Sequence, residues 1–179
     1  LILKYHPDAK TILDVGCGTG MHANILKRDY GYEVTGVDLS HDMINIAKSN
    51  YGDISFSEGN ARTFRLQQKF DIITSLFHVL CYQNTNEEVG SYFDNIKAHL
   101  KSTGIFIFDY WYGPAVLNLK PEARIKEMHD DHYKITRFAS TNMDYNKNLA
   151  NVHYKMLCQN REGQLIQLNE THPMRYFFL

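Results

Sequence analysis

The sequence predicts an α/β fold: a doubly wound, mostly parallel sheet with an added antiparallel β-sheet insertion. Three observations predict it. Up to about residue 110, short apolar runs alternate with stretches at helical spacing, as in parallel strands linked by helices. The first run, Ile12-Leu13-Asp14-Val15, ends in a glycine turn, Gly16-Cys17-Gly18-Thr19-Gly20, that opens directly into a helical pattern. After Pro121 the pattern changes to polar–apolar stretches divided by turn signals, which is the habit of antiparallel strands.

Each element has its own warrant. Met21, His22, Ala23, Ile25 and Leu26 read as a helix whose N-terminus points into the glycine turn. A strand, a glycine turn and a helix N-terminus together suit the polar end of a nucleotide-like molecule, and a tight turn without a ligand is the alternative. The G-x-G-x-G spacing is one residue shorter than the dinucleotide G-x-G-x-x-G, which counts against a nicotinamide-dependent oxidoreductase. Glu33 to Leu39 form a second strand ending in an acid. Asp38 stands 18 positions after Gly20, near the roughly 20 expected for a carboxylate that accepts from ribose hydroxyls. It offers two acceptor oxygens to a vicinal diol, and Ser40 is better placed than Asp38 to cap the next helix. That helix, from Ser40 to Asn50, carries Met43, Ile44 and Ala47 on its inner side. Thr85-Asn86-Glu87-Glu88 has the form of a capping box. Val89, Phe93, Ile96 and Leu100 follow at helical spacing, with Gly104 as a stop. Asp14, Asp38, Asn60, Phe77 and Asp109 all fall at or just after expected strand ends, where parallel sheets bind ligands.

LDVGCGTG followed by GVDLS resembles the seven-strand, Rossmann-like methyltransferases that use S-adenosylmethionine. The likeness continues through Glu58-Gly59-Asn60-Ala61-Arg62, the adenine-reading segment, through Phe70 to Leu80, and through Leu100 to Asp109, a helix–turn–strand. It covers roughly residues 10 to 110. It implies a cofactor site built from Asp14, Gly16, Cys17 and Gly18, from Asp38, Leu39 and Met43, and from Asn60, Ala61, Arg62 and Phe77. Asn60 stands where the family often has an acid, and an amide can both accept from and donate to adenine. Phe77 to Tyr82, Phe108 to Pro114 and Thr171 to Tyr176 resemble the subgroup that methylates the amino group of nucleotide-linked deoxyaminosugars.

The resemblance implies a single methyltransferase domain over residues 1–179, with a cofactor-binding core at 1–115 and an antiparallel insertion at 116–175. It also implies elements outside this sequence: a helical segment before the first strand, and a final helix and two strands after the insertion. Ala123–His129, Tyr133–Asn142, Leu149–Gln159 and Leu165–Thr171 are the four expected antiparallel strands. Their edges need cover, so this sheet is expected to cap the substrate side and to serve as a homodimer surface.

A net charge of −1 without a Lys/Arg stripe counts against a nucleic-acid partner. No apolar run approaches a membrane span, and the opening LILKYHP lacks a leader pattern. Three irregularly spaced cysteines read as free thiols of a cytoplasmic protein. His129-Asp130-Asp131-His132 invites a metal, yet a turn between strands explains it equally, and no metal is expected.

The activity expected is methyl transfer from S-adenosylmethionine to a small polar molecule, with a nucleotide-linked aminosugar nitrogen leading. An activated sulfonium methyl leaves the protein mainly to orient the acceptor. An amine needs only a modest proton acceptor, and the lack of a clear strong base favours nitrogen. His78 is the candidate base, with polar lining as its alternative role. Asp109 or Tyr82 would hold the amine, Tyr110-Trp111-Tyr112 would form a wall, and Arg62, Arg124 and Arg175 are candidates for a substrate diphosphate. O-methylation of a small metabolite and a non-catalytic S-adenosylmethionine-binding module are the alternatives.

Overall fold

A computed structural model describes residues 1–119 and 121–178. The chain divides into two compact units, Leu1–Tyr110 and Trp111–Leu179. In the first, α1 (Ile2–Tyr5) precedes β1 (Thr11–Val15), α2 (Met21–Tyr30), β2 (Glu33–Asp38), α3 (His41–Asn50) and β3 (Ser55–Glu58). Then come β4 (Phe70–Ser75), a 3-10 turn at Val79–Tyr82, α4 (Asn86–His99) and β5 (Leu100–Phe108). The strands are all parallel, in the order β3-β2-β1-β4-β5. This doubly wound order reverses between β1 and β4, and the crevice at that switch point is where such sheets bind ligands.

β1 and β4 are buried along nearly their whole length, which is why both read as unbroken apolar runs rather than alternations. Right-handed crossovers put α2 and α3 on one face and α4 on the other. On the first face, Ala23, Ile44 and Ala47 pack with Ile12, Val34, Phe56 and Ile72. On the second, Tyr92 and Phe93 meet the ring of Phe106. Each fully buried aliphatic side chain contributes about 1.5–3 kcal/mol. The helix starts are capped as expected. Ser40 Oγ accepts from Met43 N at 3.3 Å, and both halves of the Thr85/Glu88 capping box are formed.

Three local expectations need correction. Met43 is not on the inner side of α3 but 42% exposed, while Ile44 and Ala47 are buried. The inner face of α4 is Tyr92, Asn95, Ile96 and His99: Ile96 is buried as expected, but Tyr92 and His99 stand one position before the expected Phe93 and Leu100, and Phe93 is 37% exposed. The offset hides two polar residues that the core accepts because they are hydrogen-bonded. Gly104 does not stop a helix: α4 ends at His99 and Gly104 lies inside β5. Phe70 pairs with Leu100 but Ile72 with Ile105, so Lys101–Gly104 bulge out of register. A Cβ on Gly104 would stand 2.9 Å from the Asp71 carbonyl oxygen, so this glycine permits a close strand approach.

The second unit holds β6 (Trp111–Tyr112), α5 (Gly113–Leu119), β7 (Arg124–His129), β8 (Tyr133–Asp144), β9 (Leu149–Asn160) and β10 (Leu165–Phe177). Its sheet runs β6-β10-β9-β8-β7. The four expected strands form the antiparallel part. Two elements were not legible, β6, which pairs parallel with β10, and α5. Ala150, Val152, Met174 and Tyr176 are buried and share one face by register. His129 to His132 form the β7–β8 turn, in which Asp130 Oδ1 accepts from His132 N at 2.7 Å and Tyr133 N at 2.8 Å.

Candidate functional site

The glycine turn joins β1 to α2 at the sheet's C-terminal edge. Gly16, Gly18 and Gly20 all have positive φ, at 78°, 54° and 79°. Gly16 and Gly20 are also sterically required, because a Cβ there would collide with Val79 and Phe56. Gly18 differs: a Cβ would meet nothing within 4 Å. Its bare backbone borders open space beside the N-terminus of α2, where a ligand can reach contact distance. Cys17 lies buried in the same turn, and burial first, then Asp14 and Asp38, raises its thiol far above the reactive range.

Asp38 ends β2 and ties the turn together. Its Oδ2 accepts from Gly18 N at 2.8 Å and its Oδ1 from Ser40 N at 2.8 Å. Each carboxylate oxygen still has a lone pair for a diol. Asp14 is 5% exposed and accepts from Thr74 Oγ1 at 2.9 Å. Burial raises its carboxyl above the usual range, opposed by Thr74 and by nearby His22. Such a group gains most from an added cationic partner.

Beyond β3, Asn60 folds back on its own segment: Oδ1 accepts from Arg62 N at 2.9 Å and Arg62 Nε at 3.3 Å. Its side-chain amide donors are not used in these contacts. Arg62 forms an ion pair with Glu88 of α4, so its charge is already engaged within the protein. Leu39 is 67% exposed and Phe77 is 67% exposed. With Met43 they put large apolar side chains on the edge that also carries Asp38 and Asn60, as expected of a site for a partly apolar ligand.

After β4 the backbone turns through two consecutive left-handed residues, Phe77 (φ 63°) and His78 (φ 67°). Non-glycine residues persist there only when the surroundings hold them. Asp109, just past β5, supplies that hold: its carboxylate accepts from Phe77 N at 3.1 Å and His78 N at 2.7 Å. It also lies 3.5 Å from His78 Nδ1. The Phe77 ring reaches the His22 ring at a centroid distance of 5.1 Å.

The first unit thus brings Asp14, Gly16, Cys17, Gly18, Asp38 and Leu39 to one sheet edge with Asn60, Ala61, Phe77 and His78. Arg124 lies on β7 and Arg175 on β10, its guanidinium 5.2 Å from the Phe177 ring centre. Sequence reasoning missed Thr74, Glu88, Asn95 and His99 as supports of this edge. The only signal for the last two was the correct helical register of α4. Among the described residues, no three His, Cys, Asp or Glu side chains are grouped to hold a metal ion. No helix among them is long and apolar enough to cross a membrane.

Fold and site define a Rossmann-like α/β protein with a glycine turn and acidic strand ends at the sheet's switch point. Residues 12–104 match the family model of the methyltransferase domain, and the chain belongs to that family. The dTDP-3-amino-3,4,6-trideoxy-alpha-D-glucopyranose N,N-dimethyltransferase of Streptomyces venezuelae is 33% identical over 114 residues, 64% of this chain and 48% of the relative. The dTDP-3-amino-3,6-dideoxy-alpha-D-glucopyranose N,N-dimethyltransferase of Streptomyces fradiae is 32% identical, over 64% of this chain and 44% of its own length. The chain spans about half the length of the curated relatives it matches. Among solved structures, DesVI of Streptomyces venezuelae superposes with a TM-score of 0.83 at 23% identity, over 98% of this chain and 73% of its own. The sugar N-methyltransferase KedS8 of a Streptoalloteichus species gives 0.86 at 20% identity, over 98% and 69%. These structures establish the shared fold.

Proposed function

We propose that the chain binds S-adenosylmethionine at the C-terminal edge of its parallel sheet and methylates the amino nitrogen of a nucleotide-linked deoxyaminosugar. The observation that carries the cofactor reading is Gly18, whose bare backbone borders space that no protein atom fills. The deoxyaminosugar N,N-dimethyltransferases among the relatives support the acceptor class. Asp38 would hold the ribose hydroxyls, Asn60 and Ala61 the adenine, with Leu39, Met43 and Phe77 as apolar walls. Buried Asp14 suits the ammonium group. When bound, the cofactor supplies a methyl group already activated by its sulfonium. The protein's part is to orient the acceptor nitrogen and to take its proton, which His78 does beside the Asp109 carboxylate.

Calorimetry with S-adenosylmethionine and its demethylated product tests the cofactor. Binding is expected, and tighter binding of NAD overturns the reading. Labelled donor offered with matched amino and hydroxy sugar nucleotides tests the acceptor. Label on the amine is expected. Label only on the hydroxyl compound means O-methylation, and label on neither removes the aminosugar acceptor and leaves only the class of reaction standing.

The reading includes a homodimer through the antiparallel sheet, since edge strand β7 exposes 68% of Ile125. Light scattering that shows only monomer removes the dimer. Cys17, Cys81 and Cys158 are not joined in disulfides, which supports a location in the reducing cytoplasm.

A further inference from the structure

The segment between β3 and β4, residues 59–69, has no regular structure. Backbone polar groups in such a segment must find partners elsewhere. At its start, Gly59 N donates to Asp38 O at 2.8 Å. Its further anchors come from one side of α4. Asn95 and His99, each 3% exposed, are one helical turn apart on the same face. Asn95 Nδ2 donates to Ala61 O at 3.0 Å, and Asn95 Oδ1 accepts from Arg65 Nη1. Leu66 N donates to His99 Nε2 at 3.0 Å, and the other ring nitrogen lies 2.8 Å from Asn95 O. Since Nε2 accepts, the proton sits on Nδ1 and the imidazole is neutral. The Phe64 ring packs on His99 at 4.5 Å, and Glu88 pairs with Arg62 from the same helix.

We infer that Asn95 and His99 are positioning residues that bracket the 60–66 segment and set the protein's affinity for the adenine end of its cofactor. Two buried polar side chains in a helix core are costly unless they are hydrogen-bonded. Among the described residues, every side-chain hydrogen bond and ring contact they make outside α4 goes to residues 61–66. The bracket presents Asn60 and Ala61 in one conformation, so binding need not order the segment. The inference rests on the cofactor reading above.

The test compares the whole chain with Asn95→Leu and His99→Phe. Calorimetry would use S-adenosylhomocysteine, and S-ribosylhomocysteine, which keeps the ribose and amino-acid ends but lacks adenine. Affinity for the first is expected to fall about tenfold, the loss of one well-made hydrogen bond's ordering. Affinity for the second should hold. Without any ligand, hydrogen exchange at the Leu66 amide should speed up. His99→Gln, whose carbonyl can accept the same N–H, should restore both affinity and protection. If His99→Phe or Asn95→Leu does not fold, Asn95→Asp reads the same contrast, because it keeps the acceptor and loses the donor to Ala61. Equal weakening of both ligands overturns the inference in favour of general destabilisation, and so does unchanged exchange at Leu66. Wild-type protein that binds neither ligand overturns the cofactor reading, and this inference with it.

Discussion

At the N-terminal edge of the parallel sheet, Asp71 accepts from Lys10 N, Thr11 N, Thr11 Oγ1 and Lys101 Nζ at 2.8 to 3.1 Å. At the C-terminal edge, Asp14, Asp38 and Asp109 sit among left-handed backbone and exposed apolar side chains. Desolvation alone would raise Asp71. Its hydrogen bonds from Lys101 and Thr11 outweigh that and hold it well below the usual carboxylate range. Asp14 shows the reverse, raised by burial with a single hydroxyl donor. One edge spends its carboxylate on staples between β1, β4 and β5. The other sets its carboxylates beside the exposed side chains of Leu39 and Phe77. On the proposed function, stability and binding are thereby separated along the strands, as doubly wound sheets allow.

The sharpest way to break this contrast is Asp71→Ala. It leaves several donors without an acceptor and should cost about 3 kcal/mol of stability, measured by urea denaturation, with cofactor affinity unchanged. The native protein should also lose this contribution in acid. It is complete above the ordinary value near 3.8 and disappears as pH falls below it, because the folded value is depressed.

Asp38→Ala should act on binding instead. A loss of roughly 1.5–3 kcal/mol in cofactor affinity is expected, about tenfold or more, and unchanged calorimetry would refute the ribose role. Asp109→Asn should be milder, costing about 1–2 kcal/mol of stability. It loses one of two acceptors for Phe77 and His78, so kcat should fall more than the cofactor KM rises.

Asp14→Asn sharpens the comparison by sign. A raised folded value means that the native carboxyl favours folding below the ordinary value of 3.8 and loses that advantage as pH rises through its raised value. Melting temperatures should therefore put the variant above the native protein at pH 8, with the gap closing in acid, while the variant binds cofactor more weakly. The smallest expected effect is that of Leu39→Ser. Its side chain is 67% exposed, so stability should move by less than about 0.5 kcal/mol and only ligand affinity should drop.

Much of the fold was written in local patterns. Unbroken apolar runs gave the central strands, the Thr85/Glu88 pair gave a helix start, and four alternating stretches gave the antiparallel sheet. What failed was register. On α4 the apolar spacing finds Ile96 but picks Phe93 and Leu100 over Tyr92 and His99, because Phe93 and Leu100 look like core and Asn95 and His99 do not. Helical spacing alone cannot tell a buried, satisfied polar side chain from a solvated one. β6 and α5 were missed because two residues and seven are too short to carry a period.

By itself, the sequence determined the alternation of strands and helices, the glycine turn, the acids at strand ends and the family resemblance, because those depend on spacing between near neighbours. The tertiary structure alone decided how those groups are used. It set Asp38 to clasp Gly18 and Ser40, Arg62 to pair with Glu88, Asp109 to hold two left-handed residues, and α4 to bracket the 60–66 segment. Apart from Ser40, two positions from Asp38, those partners lie 20 to 34 positions apart. A hydrogen bond reads distance in space, and no pattern along the chain encodes which distant donor will arrive.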